Sequence, residues 1–154
     1  MTIHPARVAA SVLLLVGGFV VAVSALAIWM AQVLVQGGMA VKPADADLLA
    51  DLVAVLPFFV AFAAVNVLAA VGLLTSADWA DALATSAGSI AVVGGVLGLL
   101  LVVAGRDPFA PSAGHAVSAD GLGILVVFTG LYAIVLIALA AGRPRATSIM
   151  GAAA

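Results

Sequence analysis

The 154-residue chain has the length of one domain, and it is 66% hydrophobic and 8% charged, against roughly 45–50% and about 25% in soluble domains. Its net charge of −2 and pI near 5.3 give it no basic footprint for nucleic acid. The absence of cysteine excludes disulfides, thiolate-bound metals and cysteine nucleophiles. We therefore expect an all-α integral membrane protein, with residues 1–154 forming a single transmembrane domain.

The first predicted span covers residues 8–35, which carry no charge and exceed the ~20 residues that a helix needs to cross hydrocarbon. On a helix, Gly18 and Ala22 share one seam with four–three spacing, and Gln32 and Gln36 continue that seam at its far end. Small residues allow helices in lipid to approach closely. The seam therefore predicts a helix-packing face with a polar end.

Two further features of this span concern its ends. Trp29 is placed to mark a membrane–water interface, where an amphipathic ring is favoured. Arg7 precedes an apolar run that ends in a small-residue motif at Ala25, which is also the pattern of a signal peptide. Cleavage of the segment is thus an alternative to its retention as a span.

The second predicted span covers residues 52–74. It follows a group of acids suited to the positive end of a helix dipole, namely Asp45, Asp47 and Asp51. Pro57 lies inside the span, where it kinks a helix in lipid without forbidding it. Asn66 is the most polar residue within the span. It predicts either a hydrogen bond between helices or, together with Gln32 and Gln36, a contact to a polar solute.

The third predicted span, residues 82–105, has the strongest packing signal in the chain. Small residues recur with four–three spacing on one helical face, and Gly94 lies beside that face: the predicted packing residues are Gly88, Ala91, Gly94, Gly95 and Gly98. The connection from the second span is short, so these two spans should form an antiparallel hairpin. Ser76 in this connection is the predicted N-cap of the third span.

The connection between the third and fourth spans is the longest, and its prolines and glycine argue against regular structure. Phe109 lies between two prolines, near Arg106. These two residues predict a docking loop, with a plain connector as the alternative. The fourth span, residues 121–142, contains Gly130 as a further small packing residue. The predicted architecture is a four-transmembrane-helix bundle built from antiparallel hairpins.

The predicted spans contain no charged side chain, no histidine and no cysteine. Transporters and pumps usually retain an ionisable group in mid-membrane, and haem bundles need histidines that project inward. His4 and His115 both lie outside the spans, and neither has zinc-ligand spacing. We therefore predict no catalytic, cofactor or metal site, and a protein that is not an enzyme.

The remaining interpretation is a non-catalytic four-span protein, an accessory or scaffolding subunit that packs against partners in a membrane complex. Its expected partners are membrane lipids and other integral membrane subunits or further copies of itself. The alternative is a carrier or channel for a neutral or lipid-like solute. We expect a prokaryotic cytoplasmic membrane with both termini cytoplasmic, because Arg7, Arg143 and Arg145 outnumber Lys42 and Arg106 on the opposite side.

Overall fold

A computed structural model describes residues 4–106 and 119–142, with the side chains of residues 44 and 119–121 left out. The described chain is all-helical. Each helix is long and apolar enough to cross a membrane. The four are α1 (Pro5–Gln36), α2 (Pro43–Leu74), α3 (Ala80–Val103) and α4 (Ala119–Gly142).

The helices pack in a ring in which α1 contacts α2 and α4, and α3 contacts the same two neighbours. At one end of the bundle, Gly142 at the end of α4 lies against Ala6 and Arg7 at the start of α1. The 32-residue helices α1 and α2 are roughly 48 Å long, whereas 24 residues give α3 and α4 roughly 36 Å. The α1–α2 hairpin therefore extends beyond α3 and α4 at the other end.

The start of α2 differs from the start of its predicted span, residues 52–74. α2 begins at Pro43, well before the predicted span, because proline suits a first helical position and Asp45 faces the positive dipole end. The helix continues through Pro57 without a break, as expected for a proline that kinks but does not end a helix. Phe109, His115, Arg143 and Arg145 lie outside the described residues.

Three helices end in the same hydrogen-bond pattern, the Schellman motif, which satisfies the last carbonyl groups. At the end of α1, Met39 N–H donates to Leu34 O at 3.1 Å, and Gly38 takes the left-handed conformation with φ 95°. Gly105 has the same place after α3, with φ 74°. After α2 the left-handed residue is Ser76, with φ 56°. The prediction of Ser76 as the N-cap of α3 is wrong, because Ser76 ends α2 and Trp79 precedes α3.

Ser76→Gly should raise the free energy of unfolding by about 1 kcal/mol or less, because glycine adopts a left-handed conformation without the steric cost that a Cβ brings. Gly38→Ala is the matched control, and it should lower stability by a similar amount. Thermal melts in one detergent provide both values. A lower melting temperature for Ser76→Gly would mean that the serine side chain stabilises the turn by more than its backbone strain costs.

Candidate functional site

The small-residue face of α3 packs directly against α4. A Cβ added at Gly88 would come within 2.8 Å of Leu136, and one at Gly98 within 3.1 Å of Leu125. At Gly95 an added Cβ would overlap the hydroxyl oxygen of Thr129. Ala91, on the same face, is buried in the core. At Gly88 and Gly98 a leucine side chain of α4 would have to shift to admit a Cβ, and at Gly95 the overlap with Thr129 is the most severe of the three.

Three of the predicted packing residues lie elsewhere. Gly94 and Gly130 are exposed, and a Cβ added at either would meet no atom of the described chain within 4 Å. Gly94 directly precedes Gly95 in the sequence but points about 100° away from it around the helix axis. Ala22 is also exposed and lines a surface groove between α1 and α2. None of the three is in a close helix contact within the described chain.

A buried polar cluster joins α2 to α4. The Tyr132 hydroxyl donates to Asn66 Oδ1 at 2.8 Å, and Asn66 Nδ2 donates to the backbone carbonyl of Phe62 at 2.7 Å. Both Asn66 and Tyr132 have 0% exposure. Throughout the described ranges, every buried side-chain nitrogen and oxygen has a hydrogen-bond partner. The cluster is therefore satisfied by the protein itself and has no free group that faces a cavity.

Two adjacent glycines of α1 make room for this cluster. A Cβ at Gly17 would lie 2.6 Å from the Tyr132 hydroxyl, and one at Gly18 would lie 3.0 Å from Asn66 Cβ. The rings of Phe62 and Phe128 pack on Tyr132 at centroid distances of 5.7 and 4.8 Å, in tilted geometry that aromatic pairs favour. Helices α1, α2 and α4 thus meet around one tyrosine.

The polar contacts link helices that face each other across the ring. Asn66–Tyr132 connects α2 to α4 through the buried interior. Arg7 Nη2 donates to Asp81 Oδ2 at 2.7 Å, which connects α1 to α3 at one end. Ring neighbours meet at glycines, whereas these two polar contacts join opposite helices.

The polar path proposed from the sequence is not assembled. Asn66 lies level with Gly18, whereas Gln32 is roughly 21 Å further along α1 at a rise of about 1.5 Å per residue. Gln36 is further still. Arg106 is exposed just after α3, where its N–H donates to Leu101 O. Among the described residues, no group of three or more His, Cys, Asp or Glu side chains could hold a metal ion.

A groove with a volume of about 1030 Å³ runs along the outer side of α1 and α2. Its floor contains the small residues Gly18, Ala22, Ala25, Ala63 and Ala64, and its rims are formed by large apolar side chains: Leu15, Phe19, Leu26, Trp29, Leu56, Val60, Val67 and Leu68. Apart from the indole of Trp29, the described side chains that line it are aliphatic or phenyl groups. We call this feature the α1–α2 groove.

Besides the face that packs on α3, α4 has a face that points away from the other helices of the described chain. Residues with four–three spacing share one side of a helix, and on α4 one such set is fully outward: Gly123, Val127, Gly130, Ile134 and Ile137. All five are exposed, with Val127 at 69%. A Cβ at Gly123 or Gly130 would meet no described atom within 4 Å. We call this set the α4 outer face.

These features define a class of protein by architecture: an all-helical, antiparallel bundle of four long apolar helices, with a self-satisfied polar core and apolar outer surfaces. Comparisons with protein-family models, with curated proteins and with solved structures gave no match.

Proposed function

We propose that the protein is a non-catalytic, four-span integral membrane protein, and that it serves as an accessory or scaffolding subunit in a membrane complex. The membrane location is supported by the four long apolar helices and by the many large apolar side chains on the outer surface, such as Phe19, Phe58 and Val127. Such a surface in water would cause aggregation, whereas lipid tails or partner helices solvate it.

The observation that supports a protein partner is the α4 outer face. Glycine within a helix costs up to about 1 kcal/mol relative to alanine, and at Gly88, Gly95 and Gly98 that cost is offset by the packing of α4. Gly123 and Gly130 have no such contact within the described chain. Small residues flanked by β-branched ones, here Val127 and Ile134, are typical of faces where a second transmembrane helix approaches closely.

A non-catalytic role is supported by the use of the polar groups that the bundle buries. Ser11 donates to the Arg7 carbonyl at 2.8 Å, and Asn66 and Tyr132 are bonded to each other and to the backbone. The Arg7 guanidinium is paired with Asp81 at the end of the bundle. The Ser11 bond lies within α1, whereas the Asn66–Tyr132 and Arg7–Asp81 contacts join helices. None of these groups is a nucleophile or base aimed at a shared space.

Substitution at Gly130 tests the accessory role. Gly130→Leu should leave the melting temperature of the isolated chain nearly unchanged, because its side chain points away from the described bundle, and should remove partner proteins from mild-detergent purifications. Gly130→Ala keeps the surface small and should retain them. The measurement is quantitative identification of co-purified membrane proteins. Equal recovery with both variants would exclude this face as the partner site.

A carrier of a lipid-like solute is the second candidate, and the apolar α1–α2 groove favours it. A carrier of polar solutes would need groups such as Asn66 on an open path, but Asn66 is fully buried and hydrogen-bonded. Ala64→Leu, at an exposed position in the groove, separates the two roles. The subunit hypothesis expects unchanged stability, unchanged partner recovery and no effect on lipid transfer. Unchanged stability with lost transfer of fluorescent phospholipid between vesicle leaflets would favour the carrier.

The proposed orientation has both termini in the cytoplasm, and cysteine labelling tests it on a background that contains no native cysteine. Single Thr2→Cys, Ser112→Cys and Ala152→Cys variants are exposed to an impermeant thiol reagent added outside intact cells. We expect labelling of Ser112→Cys alone, because arginines favour the cytoplasmic side. Labelling of the two terminal positions, with Ser112→Cys protected, would invert the orientation.

A further inference from the structure

Two helix ends of opposite polarity meet at His4. α1 begins at Pro5, directly after this histidine, and α4 ends at Gly142. A Cβ added at Gly142 would lie 3.8 Å from His4 Nδ1. The start of a helix carries a partial positive charge and its end a partial negative charge. The imidazole ring therefore lies between an end that donates hydrogen bonds and an end that accepts them.

The neutral form of His4 caps α1. Its Nδ1 accepts a hydrogen bond from Ala6 N–H at 3.3 Å, and its backbone carbonyl accepts from Arg7 N–H at 2.9 Å. Nδ1 can accept only while it carries no proton, so the cap requires the tautomer with the proton on Nε2. His4 is exposed, and histidine is the side chain that usually changes charge between about pH 5 and 8.

Protonation of His4 is incompatible with this cap. The Nδ1–H of an imidazolium would point at Ala6 N–H, so two donors would face each other. The positive ring would also face the positive end of α1, where charge of the same sign is unfavourable, whereas the negative end of α4 attracts it. The protonated ring therefore turns from Ala6 N–H toward the end of α4.

The other charged side chains near this end do not restore the cap. Asp81 on α3 is bonded to Arg7, and Asp78 is exposed in the turn before α3. The described end of α4 has no charged residue, and Arg143 and Arg145 follow it outside the described residues. A proton on Nδ1 removes the acceptor whichever of these charges is nearest.

The first turn of α1 also carries the contact with α3. Arg7 Nη2 donates to Asp81 Oδ2 at 2.7 Å, so this bond depends on the position of that turn. We propose that His4 is a pH-dependent cap: neutral His4 holds the first turn of α1 in place for the Arg7–Asp81 bond, and protonated His4 loosens the turn and weakens the bond. This device goes beyond the accessory role and does not depend on it.

Two substitutions at His4 test the device. His4→Asn keeps a side-chain acceptor that suits an N-cap but does not titrate, and His4→Ala has no acceptor. Both variants retain every other titratable group, so pH effects that arise elsewhere are common to all three proteins. Exchange of Ala6 N–H with water is measured by NMR in one detergent, at about pH 5.5 and about pH 7.5, on either side of the usual histidine titration. Each rate is divided by the intrinsic rate at that pH to give a protection factor.

In wild type the protection of Ala6 N–H should fall about fivefold at the lower pH, the factor expected for the loss of a typical N-cap. It should stay high at both pH values in His4→Asn and low at both in His4→Ala. The Arg7 guanidinium signals should sharpen or broaden with pH in wild type alone. Equal protection of wild type at both pH values, or the same pH dependence in His4→Asn, would overturn the cap. A fall at Ala6 with unchanged Arg7 signals would overturn its connection to α3.

Discussion

Gly95→Leu is expected to abolish the folded bundle or to leave only a small folded fraction. An added Cβ at this position already overlaps the Thr129 hydroxyl oxygen, and a leucine adds three further carbons to the α3–α4 contact. Overpacking of a well-packed site typically costs about 1–3 kcal/mol and occasionally more. Here α3 and α4 must separate along their length. The free energy of unfolding should therefore fall by an amount at or above the upper end of that range. The folded fraction is measured by gel filtration and thermal melting.

Gly94, the residue before Gly95, provides the control. Gly94→Leu makes the same chemical change one position earlier, where a Cβ would meet no described atom within 4 Å. This variant should melt near the wild-type temperature, as should Leu99→Ile, which preserves side-chain volume. Similar behaviour of Gly95→Leu and Gly94→Leu would contradict the packing of α3 against α4.

The second large effect is expected at the buried polar cluster. Asn66→Leu leaves the Tyr132 hydroxyl without its acceptor, and Tyr132→Phe leaves Asn66 Oδ1 without its donor. An unsatisfied buried polar group costs about 1–3 kcal/mol, so each single variant should lose stability in that range. The double variant should lose less than the sum of the two, because no orphaned group remains on either side.

The double-mutant cycle measures this coupling from unfolding free energies in one detergent. Membrane hydrogen bonds give coupling energies of about 0.6 kcal/mol on average and up to about 1.7. We expect the upper part of that range, because both side chains are fully buried. Additive effects, with a coupling near zero, would show that the bond between α2 and α4 contributes nothing to the stability of the bundle.

The number of helices and the α3 seam could be predicted from the sequence, because both depend on local patterns. Uncharged runs of sufficient length predict spans, and four–three spacing places Gly88, Gly95 and Gly98 on one face. The neighbours of that face could not be predicted. Which side chain meets Gly95 depends on the order of helices around the ring, and several rings are compatible with short connections.

The role of Tyr132 could not be predicted, for the same reason. The sequence indicates Asn66 as a candidate for an interhelical bond, but its partner lies on the opposite helix of the ring.

The predicted packing face of α1 differs from the buried face by about one residue around the helix. The buried face contains Ala10, Leu14, Gly17 and Val21 as well as Gly18. Both adjacent glycines are buried, Gly17 against Tyr132 and Gly18 against Asn66, whereas the four–three spacing indicates only Gly18.

Ser76 illustrates a different reason why a feature could not be predicted from the sequence. Serine commonly begins helices, so local preference favours an N-cap. The chain instead closes α2 at Ser76 with a left-handed turn. Trp79 folds back over Gly72, where an added Cβ would lie 2.7 Å from the indole ring. This tertiary contact across the α2–α3 turn overrides the local preference of serine.

Photo-crosslinking at Val127 tests the central claim, that the α4 outer face contacts another membrane protein. A benzophenone amino acid at this exposed position should give a protein–protein adduct in native membranes, of twice the chain mass if the partner is a second copy. The same probe at Val12, exposed on α1, should give lipid adducts. Lipid adducts at both positions, with no protein product at Val127, would contradict the account.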